Sequence, residues 1–179
     1  MPDLKRKIII SIGNNKDASR LSGLAAKLFH QAYTGNMSAA TLESYISESF
    51  SLCQQQTQLA DPTVTTLLVE VENELVGYAQ LRLNKIPMAV NLDISAELWR
   101  IYIDKSSHGL GVGRQLLSKV GEIASEMSYE NIWLGVWEQN LKAIAFYKKL
   151  GFKEVGNHEF HIGGETQNDL VFTASTNAL

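Results

Sequence analysis

Three glycines at alternate positions, Gly109, Gly111 and Gly113, constrain this chain most. They follow a run of strand-forming residues at 97–103 and precede a stretch with apolar positions at helical spacing. Glycine lacks a Cβ, so a glycine-rich turn can bend sharply and come close to a bulky anion. The first turn of a helix adds unpaired N–H groups and the positive end of the helix dipole. The segment therefore predicts a cradle for a phosphate or pyrophosphate group.

Two other phosphate-binding motifs fit this loop less well. A P-loop requires Lys and then Ser or Thr after G-x-x-x-x-G, and neither the spacing nor that pair is present. A dinucleotide-binding fingerprint, G-x-G-x-x-G, would start at Gly109 and would need glycine where Arg114 stands. Glu138, at the end of the next predicted strand, keeps a nucleotide-binding oxidoreductase open as an alternative. A turn that joins strand to helix without a ligand is the other alternative.

Composition and charge exclude several classes of protein. The 179 residues are 45% hydrophobic and 20% charged, which is typical of a globular domain and not of a disordered chain. The net charge of −3 argues against wholesale binding to nucleic acid or to an anionic membrane. Cys53 is the only cysteine, which excludes an intrachain disulfide and a cysteine-based zinc site. The first apolar run is three isoleucines long, too short for a signal peptide, so we expect a cytoplasmic protein.

Hydrophobic periodicity predicts an α/β chain with a mixed sheet. The pattern indicates a strand at 7–12, a helix as far as Tyr33 and a second helix capped by Ser38, with apolar positions up to Cys53. The polar run at 54–62 predicts a loop. Further elements are expected as strands at 65–71, 74–83, 97–103 and 131–138, a helix after Gly113 with Met127 turned inward, a helix at 140–150, a connection at 84–96 and a closing hairpin around Gly163 and Gly164. We expect a single domain over residues 1–179.

Two motifs in the second half of the chain resemble those of a known family. The sequence H-G-L-G-V-G at 108–113, followed by R-Q-L-L, resembles motif A of the GNAT superfamily of acetyl-CoA-dependent N-acetyltransferases, Q/R-x-x-G-x-G/A. The run at 140–152 is similar to the companion motif, N-x-x-A-x-x-F-Y-x-x-x-G-F. His108 departs from the pattern, because a neutral imidazole offers one hydrogen bond and lacks a fixed charge. The cradle is mainly backbone, so we expect at most a modest cost in cofactor affinity.

The resemblance implies a fold and an activity. The fold is a GNAT-like acyl-CoA N-acyltransferase fold, with a central twisted, mostly antiparallel sheet flanked by helices. The activity is acetyl transfer from acetyl-CoA to a small-molecule amine, with coenzyme A released. Segments at 100–103, 132–138 and 167–170 look like the PaiA type, the spermidine/spermine N-acetyltransferases, so a polyamine is the leading acceptor. An amino acid, antibiotic or peptide N-terminus as acceptor, and a non-catalytic acetyl-CoA sensor, remain alternatives, and the oligomeric state, including a homodimer, stays open.

The resemblance also implies roles for individual residues. The strands on either side of the glycine loop are implied to splay apart, so that the cofactor's pantetheine arm pairs with an open strand edge. Tyr147 is implied to protonate the departing thiolate, which suits a phenol with a pKa of about 10. Asn140 caps its helix and is also implied to contact the cofactor. The implied cofactor-binding residues are Ile101, Tyr102, Ile103, His108, Gly109, Leu110, Gly111, Val112, Gly113, Arg114, Asn140 and Tyr147.

The general base is predicted on the strand before the glycine loop. Glu97 occupies a position where the family pattern suggests an acid, and Tyr33, Glu138 and His158 are competing candidates. Strict alternation along the strand would place Glu97, Trp99, Ile101 and Ile103 on one face. No metal site is predicted.

Overall fold

The computed structural model describes residues 6–83, 94–162 and 165–179. The strands in these ranges are β1 (Ile8–Ile12), β2 (Val64–Val71), β3 (Glu74–Arg82), β4 (Ser95–Ile103), β5 (Asn131–Trp137), β6 (Lys153–Ile162) and β7 (Glu165–Ser175). The helices are α1 (Ala18–Tyr33), α2 (Ala39–Ser49), α3 (Leu52–Ala60), α4 (Val112–Glu126) and α5 (Leu141–Lys149). Short 3₁₀ segments lie at Asn15–Asp17, Lys105–Ser107 and Thr176–Ala178.

The strands form one mixed sheet in the order β1-β2-β3-β4-β5-β7-β6. Among the described strands β4 and β5 are the one parallel pair, and the other neighbours are antiparallel. The predicted hairpin of β2 and β3 is confirmed, and its turn residues Glu72 and Asn73 both have positive φ, as a tight hairpin turn requires. The predicted mixed, mostly antiparallel sheet flanked by helices is therefore confirmed.

Helices cover both faces of the sheet. On one face, Leu116 of α4 and Leu134 of β5 belong to a buried cluster that also includes residues of α5. On the other face, Leu21 of α1 packs in a second cluster with Leu68 and Tyr78. Complete burial of each leucine-sized side chain stabilises the fold by roughly 1.5–3 kcal/mol, so these two clusters hold the helices against the sheet.

The prediction of a loop at 54–62 is wrong, because most of that run is α3. Ser51 caps the helix, and its side chain accepts a hydrogen bond from the N–H of Gln54. The helix buries polar side chains instead of apolar ones: Gln55 is fully buried and Gln58 nearly so. Hydrophobic periodicity cannot detect a helix whose inner face is made of glutamine.

The buried glutamines are stabilised by a hydrogen-bond network across the sheet. Gln58 Oε1 accepts hydrogen bonds from Gln80 Nε2 at 3.1 Å and from Arg100 Nη1 at 3.0 Å. Arg100 also donates to Gln80 Oε1 at 2.9 Å. Gln55 is not part of this network; its side chain donates to the carbonyl of Ser49 in α2 at 3.1 Å. Such partners are needed because an unpaired buried amide costs about 1–3 kcal/mol.

A bulge in β4 also changes the predicted arrangement of side chains. In the register with β3, Gln80 lies opposite Arg100 and Leu81 lies opposite Leu98, so Trp99 is an extra residue. The guanidinium group of Arg100 stacks on the Trp99 ring at 3.9 Å from its centroid. One extra residue reverses the alternation of side chains beyond it.

The predicted common face of Glu97, Trp99, Ile101 and Ile103 is therefore wrong. Leu98, Ile101 and Ile103 pack with the cluster of α4 and α5. Glu97 stands between two residues of that cluster in the strand, so its side chain lies on the opposite face.

Three further predictions concern the ends of elements. Met127 is 41% exposed, which contradicts the expected inward position, because α4 ends at Glu126 and Met127 leaves the helical path. Of the predicted connection at 84–96, residues 84–93 lie outside the described residues, and Ser95 and Ala96 belong to β4. The turn predicted at Gly163 and Gly164 also lies outside the described residues.

Candidate active site

The strands β4 and β5 are paired at one end and diverge along their length. They pair in parallel only at Ser95–Asn131, Ala96–Ile132 and Glu97–Trp133. Beyond these three positions β4 keeps β3 as its neighbour and β5 keeps β7, so a V-shaped opening separates the two strands. In the part of the chain that the structure describes, no strand pairs with the β5 side of β4 beyond this point. That edge can hydrogen-bond an extended ligand as a sheet binds an added strand.

The glycine loop closes one side of this opening. Gly109 and Gly111 have φ of 81° and 79°, the left-handed region that favours glycine. Ser38, Ser51 and Asn140 cap α2, α3 and α5 with their side chains, whereas α1 and α4 have no side-chain cap and the N-cap of α4 is Gly111. The N–H groups of its first turn are therefore left for a ligand, and the dipole of the helix favours an anion there. These features fit the predicted phosphate cradle.

Gly113, the third glycine, is needed for close packing of neighbouring elements. A Cβ at Gly113 would lie 3.0 Å from Phe146 Cζ of α5 and 3.3 Å from Ile103 Cδ1 of β4. The absence of a side chain therefore lets α4, α5 and the end of β4 meet at one point. A Cβ at Gly109 would meet no atom within 4 Å, so space remains beside the loop.

His108 and Arg114 flank the cradle, and both are exposed. The Nε2 atom of His108 lies 3.0 Å from the carbonyl oxygen of Ile103. The ring therefore closes the turn between β4 and the glycine loop. Among residues 6–83, 94–162 and 165–179, Arg114 forms no ion pair, so its charge is available to a phosphate.

Tyr147 lies on α5, on the same side of the sheet as the glycine loop. Its ring packs between those of Phe146 and Phe152, with centroids 5.5 Å away in each case. Its hydroxyl makes no hydrogen bond within the described residues. Burial, with a smaller contribution from Tyr33, raises the pKa of Tyr147 well above its usual value. The phenol therefore stays protonated at neutral pH, as a proton donor must.

Asn140 begins the helix that carries Tyr147, as predicted. Its Oδ1 accepts a hydrogen bond from the N–H of Ala143 at 3.2 Å. The cap uses only the carbonyl oxygen of the side chain, which leaves the amide group as a donor.

Tyrosines line the opposite face of the sheet at the same opening. Tyr33, Tyr45 and Tyr102 surround Phe29, with ring centroids 4.5, 4.6 and 6.2 Å from it. Burial raises the pKa of Tyr33 to about 12, although its hydrogen bond with Tyr102 acts in the other direction. Tyr33 is therefore protonated at neutral pH, which argues against it as the general base.

A polar cluster lies on the last two strands beside these tyrosines. His158 of β6 and Asp169 of β7 are direct partners in the antiparallel register. Partial burial raises the pKa of the Asp169 carboxyl, while His158 and a 3.1 Å hydrogen bond from Gln167 act to lower it. Glu138, at the end of β5, accepts a 2.8 Å hydrogen bond from Asn168 and raises the pKa of Asp169 further.

Asp169 was missed as a functional candidate in the sequence. The chain offered a hairpin pattern in this region, but hairpin register depends on a turn that the pattern does not specify. The sequence offers His158 as a candidate base but does not identify its partner on the neighbouring strand.

Glu97 occupies a different part of the opening. It lies where β4 and β5 are still paired, opposite Trp133. Its carboxylate forms an ion pair with Arg82, whose guanidinium group also stacks on Trp99 at 4.0 Å. The role of Glu97 as general base stays a prediction.

The predicted phosphate cradle, the open edge of β4 and the protonated phenol of Tyr147 adjoin the polar cluster of β6 and β7 at one opening. These features are typical of an enzyme that transfers a group from a phosphate-bearing donor to a second substrate. In the described parts of the chain, no group of three or more His, Cys, Asp or Glu side chains could hold a metal ion. No helix among them is long and apolar enough to cross a membrane.

Comparison with known proteins agrees with this class. The model of the acetyltransferase (GNAT) family matches residues 26–152. An uncharacterized N-acetyltransferase of Mycobacterium tuberculosis (strain ATCC 25618 / H37Rv) is 30% identical over 155 residues, which cover 87% of this chain and 95% of that protein.

Two solved structures share the fold. PaiA N-acetyltransferase from Thermoplasma acidophilum, in complex with coenzyme A, has a TM-score of 0.79 at 22% identity, covering 94% of this chain and 99% of that chain. The spermidine/spermine N-acetyltransferase SpeG from Vibrio cholerae has a TM-score of 0.65 at 22% identity, covering 96% of this chain and 94% of that chain.

The chain therefore belongs to the acetyltransferase (GNAT) family. The predicted fold and the predicted enzyme class, an acyltransferase, are confirmed. Acetyl-CoA as the cofactor, predicted from the glycine loop and its resemblance, agrees with the family and with the uncapped start of α4.

Proposed function

We propose that this enzyme acetylates a primary amine of a small cationic molecule in the cytoplasm, with a polyamine such as spermidine or spermine as the leading acceptor. The observation that carries the proposal is the opening between β4 and β5. It has a cradle of backbone N–H groups on one side and tyrosines with carboxylates on the other.

On the donor side, the backbone does most of the binding. The loop from Gly109 to Gly113 and the first turn of α4 would hold the pyrophosphate, with Arg114 beside it. The open edge of β4 at Ile101–Ile103 and the side chain of Asn140 would bind the pantetheine arm. When bound, acetyl-CoA supplies the activated acetyl group as a thioester.

Tyr147 is the proton donor in this proposal. Its buried ring fixes the position of the hydroxyl, and its raised pKa keeps the proton on the oxygen until a stronger base is present. A departing thiolate would be such a base only if it were poorly solvated, as it would be beside the buried face of α5.

On the acceptor side, charge and aromatic faces favour a cation. Asp169 of β7 lies close to Glu138, the residue that follows β5, and near Tyr33. Carboxylates and tyrosine rings both attract an ammonium group. SpeG, which shares the fold, is named for spermidine and spermine.

An acceptor panel tests the proposal. Purified protein is incubated with acetyl-CoA and spermidine, spermine, lysine, an aminoglycoside or a peptide, and released thiol is measured. We expect the highest kcat/KM with a polyamine. Turnover of another amine with none of either polyamine would overturn the acceptor, and binding of acetyl-CoA without turnover of any amine would overturn the enzyme.

A further inference from the structure

We propose that His158 and Asp169 form the pair that receives the acceptor: the carboxylate of Asp169 holds the ammonium group, and Nε2 of His158 takes its proton. This inference rests on the proposed function, since it names the residues that would act on the amine. It places the proton acceptor on β6 and β7 instead of on Glu97.

The first argument is the position of the two groups. His158 and Asp169 face each other across the β6–β7 pair. A Cβ at Gly135 of β5 would lie 3.3 Å from His158 Nε2 and 3.4 Å from Asp169 Oδ2. Both polar atoms thus reach the same point on the sheet, which is where a bound amine could contact each of them.

Gly135 keeps that point open. It is exposed although it lies in the middle of β5, two residues beyond the last β4–β5 pair at Trp133. Its neighbours Leu134 and Val136 belong to the core cluster, so position 135 presents the opposite face, toward the tyrosines. Any larger residue here would fill the space between the imidazole and the carboxylate.

The second argument is the protonation of His158. Its Nδ1 lies 3.1 Å from the carbonyl oxygen of Glu159. A carbonyl can only accept, so Nδ1 carries a hydrogen in this contact, and whenever the ring is neutral its lone pair is on Nε2. The nitrogen that faces position 135 is therefore the one able to take a proton.

The third argument is the unpaired charge of Asp169. In the described residues no lysine or arginine forms an ion pair with this half-buried carboxylate. The titratable groups around it are His158 of β6, Glu138 just after β5 and Tyr33 of α1. A carboxylate that is desolvated without a fixed cation favours a cationic ligand.

The chemical step is a simple proton transfer. One N–H bond of the acceptor ammonium breaks and an N–H bond forms at Nε2 of His158, while the electron pair stays on the amine nitrogen. The amine becomes a neutral nucleophile, and the imidazolium is stabilised by the adjacent Asp169 carboxylate until the proton passes to solvent.

Paired variants separate this role from a structural one. His158→Gln is compared with His161→Gln, which changes an exposed histidine on the same strand. We expect His158→Gln to lower kcat/KM for the acceptor by roughly 10²–10⁴-fold and to flatten the acidic limb of the pH profile. The dissociation constant of acetyl-CoA, measured by calorimetry, should stay unchanged, and His161→Gln should match wild type.

Asp169→Asn tests the binding half of the pair, with Glu159→Gln on the exposed face of β6 as its control. We expect a higher KM for the acceptor with unchanged affinity for acetyl-CoA. Wild-type kcat/KM and pH profile in both His158→Gln and Asp169→Asn would overturn the proposal.

A measurement without turnover keeps the proposal separate from the choice of acceptor. The chain has four histidines, so their ring resonances can be assigned by substitution in protein labelled at histidine. Spermidine added to the protein with coenzyme A should shift the His158 resonances and leave those of His161 in place. If another amine proves to be the acceptor, the same titration with that amine applies. Unmoved His158 resonances with spermidine and with every amine of the panel would overturn the pair.

Discussion

The two sides of the opening between β4 and β5 are built by different means. The proposed donor side relies on backbone: two left-handed glycines, an uncapped helix start and a strand edge. The proposed acceptor side relies on side chains that four separate elements bring together, namely α1, β5, β6 and β7. The backbone groups of the first side come from short segments of the sequence. The side chains of the second side come together only after the sheet has formed. The predictions that follow test this contrast, starting with the largest effect.

Tyr147→Phe removes the one donor-side group that acts through a side-chain hydroxyl. We expect kcat to fall by about 10²-fold or more, because the leaving sulfur loses its proton donor. The affinity for acetyl-CoA should change little, since the ring still packs between Phe146 and Phe152. Steady-state kinetics measures kcat, and calorimetry measures the affinity for acetyl-CoA. Tyr129→Phe is the control, and an unchanged kcat in Tyr147→Phe would return Tyr147 to a packing role.

Gly111→Ala tests the backbone cradle. An alanine at φ 79° is strained by about 1–2 kcal/mol, so the loop should shift and acetyl-CoA should bind about tenfold more weakly. Gly23→Ala is the matched control, because Gly23 lies within α1 and a Cβ there meets nothing within 4 Å. We expect that control to stabilise the protein by up to about 1 kcal/mol. Equal acetyl-CoA affinity in the two variants would contradict a backbone-built site.

Asp104→Asn tests how the donor-side loop is held after β4. Lys27 and the N–H of Ser106 lower the pKa of Asp104 to about 2. Because this folded-state pKa is below the unfolded value, the stabilisation is present above the unfolded pKa and is lost as the pH falls toward 2. We expect the variant to be about 0.5–1 kcal/mol less stable at pH 7, with the difference vanishing near pH 2, in urea unfolding. Glu122→Gln, in an exposed pair with Lys119, is the control and should cost less.

Asp169→Asn should change the free energy of unfolding least, and in the direction opposite to Asp104→Asn. Partial burial raises the pKa of Asp169, so the wild type becomes relatively less stable as the pH rises through that folded-state pKa. We expect the variant to equal or exceed the wild type in unfolding free energy at pH 7. A loss at pH 7 like that of Asp104→Asn would mean that Asp169 serves the fold and would weaken the contrast between the two sides.

Much of the fold could be predicted from the pattern of apolar residues. The β2–β3 hairpin and the helices before and after β5 lie where the spacing of apolar residues predicts them. The failures share a cause. The α3 helix buries glutamines, and the bulge at Trp99 changes the alternation of β4, so in both places partners elsewhere in the sheet overrule the local pattern.

The sequence alone therefore determined the features of the proposed donor side: the glycines, the helix start and the tyrosine motif are local, because backbone conformation depends on neighbours within a few residues. The tertiary structure decided the acceptor side. In the folded chain β4 and β5 separate after three pairs. Glu97 lies where they are still paired and forms an ion pair with Arg82, and His158 lies opposite Asp169. Those contacts join residues from distant parts of the chain, and their geometry depends on strand order and register, which no local pattern of residues specifies.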